Sequence, residues 1–181
     1  MGLSIKPASI SLNEYLDKWL KEVVRPRLRE ATFDSYEVFL KKHIRPKLGA
    51  KRLADIKPLD LQQVINEMTG DGYAPRTVRY THTILYSALK QAVRWQMLPM
   101  NPCDAVELPR QTRNEMKAFS PAEARAFLEA AKENKHGLVL AFALGTGMRP
   151  EEYLALKWSD IDLSEGTATV QRTLIWRKGG G

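Results

Sequence analysis

Arg149 sits where a cation is out of place. In "ALGTGMRPEEYLALKW", residues 143–158, it follows a Gly-Thr-Gly turn and precedes Pro150, a residue suited to open a helix. A helix start carries partial positive charge, so a guanidinium there gains from an anion between it and the helix end. The planar fork of arginine matches two phosphate oxygens. Gly145 and Gly147 would let backbone N–H groups approach such an anion closely. Glu152, one turn on, suits the dipole and could orient the guanidinium. The same residues also describe a plain cap turn with a surface arginine, and the local chemistry supports both readings equally.

A second constellation lies upstream. From Tyr73 to Cys103 there is no Asp or Glu. At about 100° per residue, Arg76, Arg79, Thr83, Tyr86, Lys90 and Arg94 fall within roughly 80° of arc. Val78, Thr81, Leu85, Ala88, Ala92 and Trp95 take the opposite side. A solvated helix face usually mixes in glutamate, and four like charges on one stripe repel unless something negative lies alongside. This pattern points to a helix laid on DNA, with cations on phosphates and Arg76 or Arg79 at base edges. A second basic group, Lys41, Lys42, Arg45 and Lys47 around His43, could contact DNA or complement a helix C-terminus.

Charge distribution agrees. The 181 residues carry a net charge of +7, suited to a polyanionic partner. Residues 1–112 hold 18 Lys and Arg against 12 Asp and Glu, while residues 113–181 hold 10 against 9. The basic excess therefore belongs to the first part. Cys103 is the single cysteine, which excludes an internal disulfide and a cysteine metal cage and suits a small packing residue. No signal-peptide core opens the chain, and the apolar run Leu138–Leu144 is far short of the roughly 20 residues that span a bilayer. A soluble, cytoplasmic protein without membrane contact is expected.

The elements that must position these groups are mostly helical. A capping box at Ser11 and Glu14 opens a first helix, with Leu12, Tyr15, Leu16, Trp19 and Val23 on one face. "RPRLRE" breaks it. Thr32 is expected to cap a second helix, with Phe33, Tyr36, Leu40 and Ile44 inward and Pro46 and Gly49 at its end. Pro58 opens a third, burying Leu61, Val64, Ile65 and Met68. Pro75 opens a fourth, running to about Met97. "VELPRQTRNEMKA" lacks periodicity and reads as a linker. Ser120, Pro121 and Glu123 start a further helix, with Phe119 stapled on Ala124. "GLVLAFAL" is apolar all round and is expected to be buried. A helix from Pro150 is expected to end near "WSDID". "TATVQRTLIWRK" alternates as a strand and "KGGG" reads as a hairpin turn. A strand leading into a turn expects a partner, so the second part is expected to be incomplete. No internal repeat is expected.

"ALGTGMRPEEYLALKWSDID" resembles the first catalytic box of the tyrosine recombinases, the phage integrase family. Thr146, Gly147, Arg149, Glu152, Leu156, Trp158, Asp160, Ile161 and Asp162 stand in register. "ATFDSYEVFLKKHIRPKLG", "APRTVRYTHTILYSALKQAVRW" and "NPCDAVELPR" are similar to segments of the family's core-binding domain. The resemblance implies a mainly α chain: a four-helix SAM-like core-binding domain at 9–108, a linker at 109–116, and at 117–181 the first part of an α+β catalytic domain, ending in the first strand of a β-hairpin. It implies site-specific breakage and rejoining of double-stranded DNA. A tyrosine attacks a backbone phosphate, forming a 3′-phosphotyrosyl link and releasing a 5′-hydroxyl. It implies self-association on DNA, a bacterial or phage origin, and no metal or nucleotide cofactor. Arg149 corresponds to the first catalytic arginine and Glu152 to the acidic residue that supports the site. The family's hairpin lysine, His-x-x-Arg box and nucleophilic tyrosine have no counterpart in residues 1–181. Tyr153 stands where the family carries an apolar residue and is expected to pack. The chain is therefore expected to bind DNA without cleaving it. Two alternatives are a non-catalytic helical DNA-binding regulator and a helical protein–protein adaptor.

Overall fold

The computed structural model describes residues 9–111 and 117–174, which fall in two compact units, each described by itself. The first is a set of four helical rods. α1, Leu12–Trp19, starts at the expected capping box: Ser11 Oγ accepts the Glu14 N–H at 3.2 Å, and the Glu14 carboxylate accepts the Ser11 N–H at 2.7 Å. α2 spans Glu30–Phe39 and continues into α3, Arg45–Leu48. α4 spans Pro58–Gly70 and α5 Pro75–Arg94. The mainly helical fold and the four-rod arrangement agree with the sequence reading.

The ends of the first two rods differ from it, for one physical reason. α1 continues as a π-helical turn, Leu20–Val24, in which the Arg25 N–H reaches the Leu20 carbonyl at 2.9 Å. α2 continues likewise through Leu40–Ile44, with the Arg45 N–H on the Leu40 carbonyl. Each turn precedes a proline, Pro26 or Pro46. A proline cannot donate to the carbonyl four residues back and its ring crowds that carbonyl. Widening the preceding turn accommodates the ring. The two stretches, "LKEVVRPRL" at 20–28 and "LKKHIRPKL" at 40–48, are one pattern 20 residues apart. Five of the nine positions are identical. The wider turn also shifts the helical phase: Leu20 and Val24 are buried, while Val23 is only half-buried.

Other boundaries move. Arg29, in extended conformation, is the N-cap of α2, and Thr32 lies inside the first turn, donating its N–H to the Arg29 carbonyl at 2.9 Å. Pro46 does not end the second rod; Gly49 caps it after Leu48. α5 stops at Arg94, three residues short of Met97. Gln96 adopts φ +57°, and the N–H groups of Gln96 and Met97 return to the carbonyls of Val93 and Ala92, both at 2.9 Å. That double closure is a Schellman stop, built here on a residue other than glycine.

Leu12, Tyr15, Leu16, Leu40, Ile44, Leu61, Met68, Val78, Ile84 and Leu89 form the buried centre of the unit. Cys103 is buried with them, and burial pushes its thiol up to about 12, as suits a packing residue. Gly49 is where α1 meets the second rod. A Cβ there would lie 2.3 Å from Asn13 Oδ1 and 2.5 Å from the Arg45 carbonyl oxygen. The backbone oxygen cannot swing aside, so Gly49→Ala is expected to cost about 1–3 kcal/mol, typical of overpacking, read as a lower urea midpoint.

The second unit holds α6, Pro121–Lys132; α7, Gly137–Thr146; α8, Pro150–Tyr153; and the strands β1, Ile161–Asp162, and β2, Thr167–Ala168. The Ser120–Glu123 capping box forms as expected, and the Phe119 ring lies on Phe127, with centroids 5.6 Å apart. α7 is not buried: Leu138 is 90% exposed, and Val139 and Phe142 are also open. An all-round apolar helix needs cover on every side, and among the described residues its packing comes from α6. α8 ends at Tyr153, well before "WSDID", which instead forms a 3₁₀ turn at Trp158–Asp160 and the strand β1. β1 pairs antiparallel with β2, Ile161 opposite Ala168 and Asp162 opposite Thr167. At Thr167–Ala168 the expected strand forms, paired with β1. Beyond Ala168 it has no ladder partner among the described residues, so residues 169–174 are not strand. The expected "KGGG" turn lies outside the described residues.

Candidate nucleic-acid interface and phosphate-binding arginine

The packed side of α5 is formed by Val78, Thr81, Ile84, Leu85, Ala88, Leu89 and Ala92, all buried. The opposite side carries Arg76, Thr83, Lys90 and Arg94 exposed, with Arg79 and Tyr86 half-buried. The structure therefore brings the six predicted residues onto one face. Four have partners in the fold: Arg79 Nη1 donates to the Pro109 carbonyl at 3.0 Å, Thr83 Oγ1 donates to the Arg79 carbonyl at 2.9 Å, and Lys90 Nζ lies 5.7 Å from the centre of the Tyr86 ring. No carboxylate among the described residues pairs with Arg76, Arg79, Lys90 or Arg94.

The second basic group divides. Arg45 pairs with Asp17 at 2.6 Å and donates to Asn13 at 3.4 Å, and Lys47 pairs with Glu67. His43 is buried, edge-on to Tyr73 at 4.9 Å, and burial lowers its pKa. Lys41 and Lys42 are exposed, Lys42 resting 5.2 Å from the Tyr73 ring centre. Half of that group is thus held by the fold, and Lys41 and Lys42 are left facing solvent.

In the second unit, Gly147 closes α7 at φ +65°, a conformation glycine adopts without strain. The chain then turns into α8, with Arg149 as its N-cap. Glu152 accepts twice from Arg149: from its backbone N–H at 2.8 Å and from Nη1 at 3.0 Å. Those hydrogen bonds, backbone first, hold the Glu152 carboxyl below the usual glutamate range. The Arg149 side chain is nevertheless 75% exposed, against 20% for Glu152. One edge of the guanidinium is fixed by a carboxylate while the rest faces outward. Tyr153 is half-buried.

A long-range ion pair in the second unit has no local signature in the sequence. Asp160, 3% exposed at its side chain, receives Arg172 fork-on-fork, with Nη2 on Oδ1 at 3.2 Å and Nη1 on Oδ2, and it also accepts the Lys157 N–H at 2.8 Å. It ties the turn before β1 to the chain after β2. Twelve residues separate the partners, so no local spacing signals the contact. The Arg172 hydrogen bond first, then that of Lys157, holds the Asp160 pKa below its ordinary 3.8. A depressed folded pKa means stability that is present above about 3.8 and is lost as pH falls through the folded value. Asp160→Asn should therefore lower the melting temperature at pH 7, and the gap from wild type should close as pH falls below the usual aspartate range.

Among the described residues no cluster of three or more His, Cys, Asp or Glu could hold a metal, and no helix is long and apolar enough to cross a membrane.

Comparison with known proteins gives the family. The profile of the phage integrase N-terminal SAM-like domain matches residues 11–69, and that of the phage integrase family matches residues 117–179. The tyrosine recombinase XerC-like protein of Caldanaerobacter subterraneus subsp. tengcongensis is 30% identical over 98% of this chain and 49% of its own length. An integrase of Saccharopolyspora erythraea is 26% identical over 93% of this chain and 40% of its own. The chain spans about half the length of the curated relatives it matches. Among solved structures, the Tn1549 transposon integrase in complex with circular intermediate DNA superposes with a TM-score of 0.83 at 21% identity, covering 94% of this chain and 57% of that one, which shows a shared fold. The phage integrase SAM-like domain from Moorella thermoacetica, 34% identical, covers 62% of this chain and 96% of its own, with a TM-score of 0.50. The box around Arg149, the four-rod first unit and these matches agree: the chain belongs to the phage integrase family, the tyrosine recombinases.

Proposed function

We propose that this chain is the DNA-gripping and phosphate-orienting part of a site-specific tyrosine recombinase. Its core-binding domain is residues 9–108, its linker 109–116, and residues 117–181 belong to the catalytic domain. Arg76, Arg79, Thr83, Tyr86, Lys90 and Arg94, with Lys41 and Lys42, hold duplex DNA. Arg149, steadied by Glu152, clamps the scissile phosphate while its charge builds during attack by a tyrosine. The chemistry adds the tyrosine oxygen to phosphorus, breaks the bond to the 5′ oxygen, and returns a proton to that leaving group. The groups for attack and proton return are not among these 181 residues, so the chain by itself binds DNA and does not cleave it. Copies of the whole protein assemble on the recombination site. The observation that carries this reading is the α5 face, on which Arg76, Lys90 and Arg94 stand exposed with no carboxylate partner among the described residues.

Duplex titration tests it. Each neutralised phosphate contributes about −0.9 to the slope of log affinity against log salt. Contacts by the exposed cations Arg76, Lys90, Arg94, Lys41 and Lys42 would give a slope of about −4 to −5. A slope near zero, or no binding at low salt, would refute the proposal.

A further inference from the structure

A groove of about 270 Å³ opens in the first unit where the end of the first rod meets the C-terminal half of α5. Its lining includes Trp19, Val23, Val24 and Tyr36, with Leu28, 41% exposed, alongside. Trp19 and Tyr36 stack with centroids 5.9 Å apart and an interplanar angle of 10°. Arg27, Lys90 and Arg94 supply three cations, Ser87 and Gln91 are polar, and no lining residue is acidic. The first π-turn borders the groove with Val23 and Val24. By shifting the helical phase, that turn buries Val24 and leaves Val23 half-exposed, beside the proline-led segment that carries Arg27 and Leu28.

We propose that this groove docks an acidic peptide segment of a partner protein that carries one apolar anchor residue, and that the segment and duplex DNA exclude one another. The exclusion rests on the DNA reading given above, because Lys90 and Arg94 serve both ligands. The apolar lining and the cations make separate demands. Phosphates satisfy Arg27, Lys90 and Arg94 but bring nothing apolar. A stacked base edge offers a thymine methyl at most, which would leave most of 270 Å³ unfilled. A leucine or aromatic side chain fills such a space, and flanking Asp or Glu residues meet the cations. Apolar anchors set in a groove are a common mode of peptide recognition. Coupling of this kind is reciprocal: a partner that lowers DNA affinity has its own affinity lowered by DNA to the same degree.

The test selects from a displayed library of dodecapeptides, random except for one central position fixed as Leu, Phe or Trp, against the whole 181-residue chain. Peptides with Asp or Glu flanking the anchor should be enriched. A fluorescein-labelled enriched peptide should bind at least tenfold more weakly when its anchor is changed to Ser. Leu28→Asn, and separately the groove-filling Ser87→Trp, should weaken the peptide at least tenfold and leave the affinity for a 30-base-pair duplex within threefold. Unlabelled duplex should displace the peptide. No acidic enrichment, or equal binding of the Ser-anchored peptide, overturns the proposal. So does a duplex affinity that falls with Leu28→Asn as far as the peptide's, since the groove would then be reading DNA. Peptide binding by a chain that binds no duplex would sink the DNA reading and the exclusion together, and leave the groove as a peptide site. Melting curves of both variants matching wild type show that lost binding is not lost fold.

Discussion

Arg149→Ala, in a recombinase that carries this chain with the remaining catalytic groups of its family, should lower DNA strand cleavage by about 100-fold or more, the range for removing one preorganised donor from a developing oxyanion. Glu152 takes one edge of the guanidinium, and the side chain is 75% exposed, so the outward N–H groups are available to a phosphate. Their value is greatest when phosphorus carries its extra charge, so the loss should appear in the single-turnover cleavage rate more than in duplex affinity. Arg149→Lys keeps the charge without the planar fork and should recover only part of the rate. Glu152→Gln should cost less than Arg149→Ala, because an amide oxygen can still accept one of the two hydrogen bonds. A suicide substrate with a nicked strand, which traps the covalent intermediate, measures each rate. Near-normal cleavage by Arg149→Ala would remove Arg149 from the reaction.

What the sequence made legible follows the range of the forces involved. Local chemistry was readable: the capping boxes at Ser11 and Ser120 and the proline-led starts at Pro58 and Pro75 depend on residues three or four apart, and they formed as expected. The two faces of α5 were readable because 20 residues give the helical period room to show. The Arg149–Glu152 pair was readable because its two residues lie three apart, within one turn. The π-turns were missed because periodicity assumes a constant 3.6 residues per turn, and a proline changes the phase just before itself. That error put Val23 in the core in place of Val24 and concealed the groove. Contacts between distant residues left no local trace. Asp160 with Arg172, and Arg45 with Asp17, are joined by folding alone. The same limit explains α7: an apolar composition says that a helix can be buried, not that neighbours cover it.

Reversing the charge of Arg76, Lys90 and Arg94 together to glutamate should remove most DNA affinity. At 0.1 M salt, each lost phosphate contact is worth about 0.9 of a decade, so three give a loss of about 500-fold before any repulsion from the new carboxylates. The salt slope should become shallower by about 2.7. Arg79 is left out for a structural reason. It donates to the Pro109 carbonyl, so its replacement would disturb the chain leaving the first unit as well as the DNA face. The three chosen residues are exposed and lack carboxylate partners among the described residues, and glutamate is a good helix former, so α5 should keep its fold. Lys41→Glu with Lys42→Glu is the companion measurement. Arg45 and Lys47 are held by Asp17 and Glu67, so only two charges of that group can reach DNA, and its reversal should shift the slope by no more than about 1.8. If α5 carried an ordinary solvated face, the triple variant would bind as wild type does, and a loss of less than tenfold would place the DNA contact elsewhere.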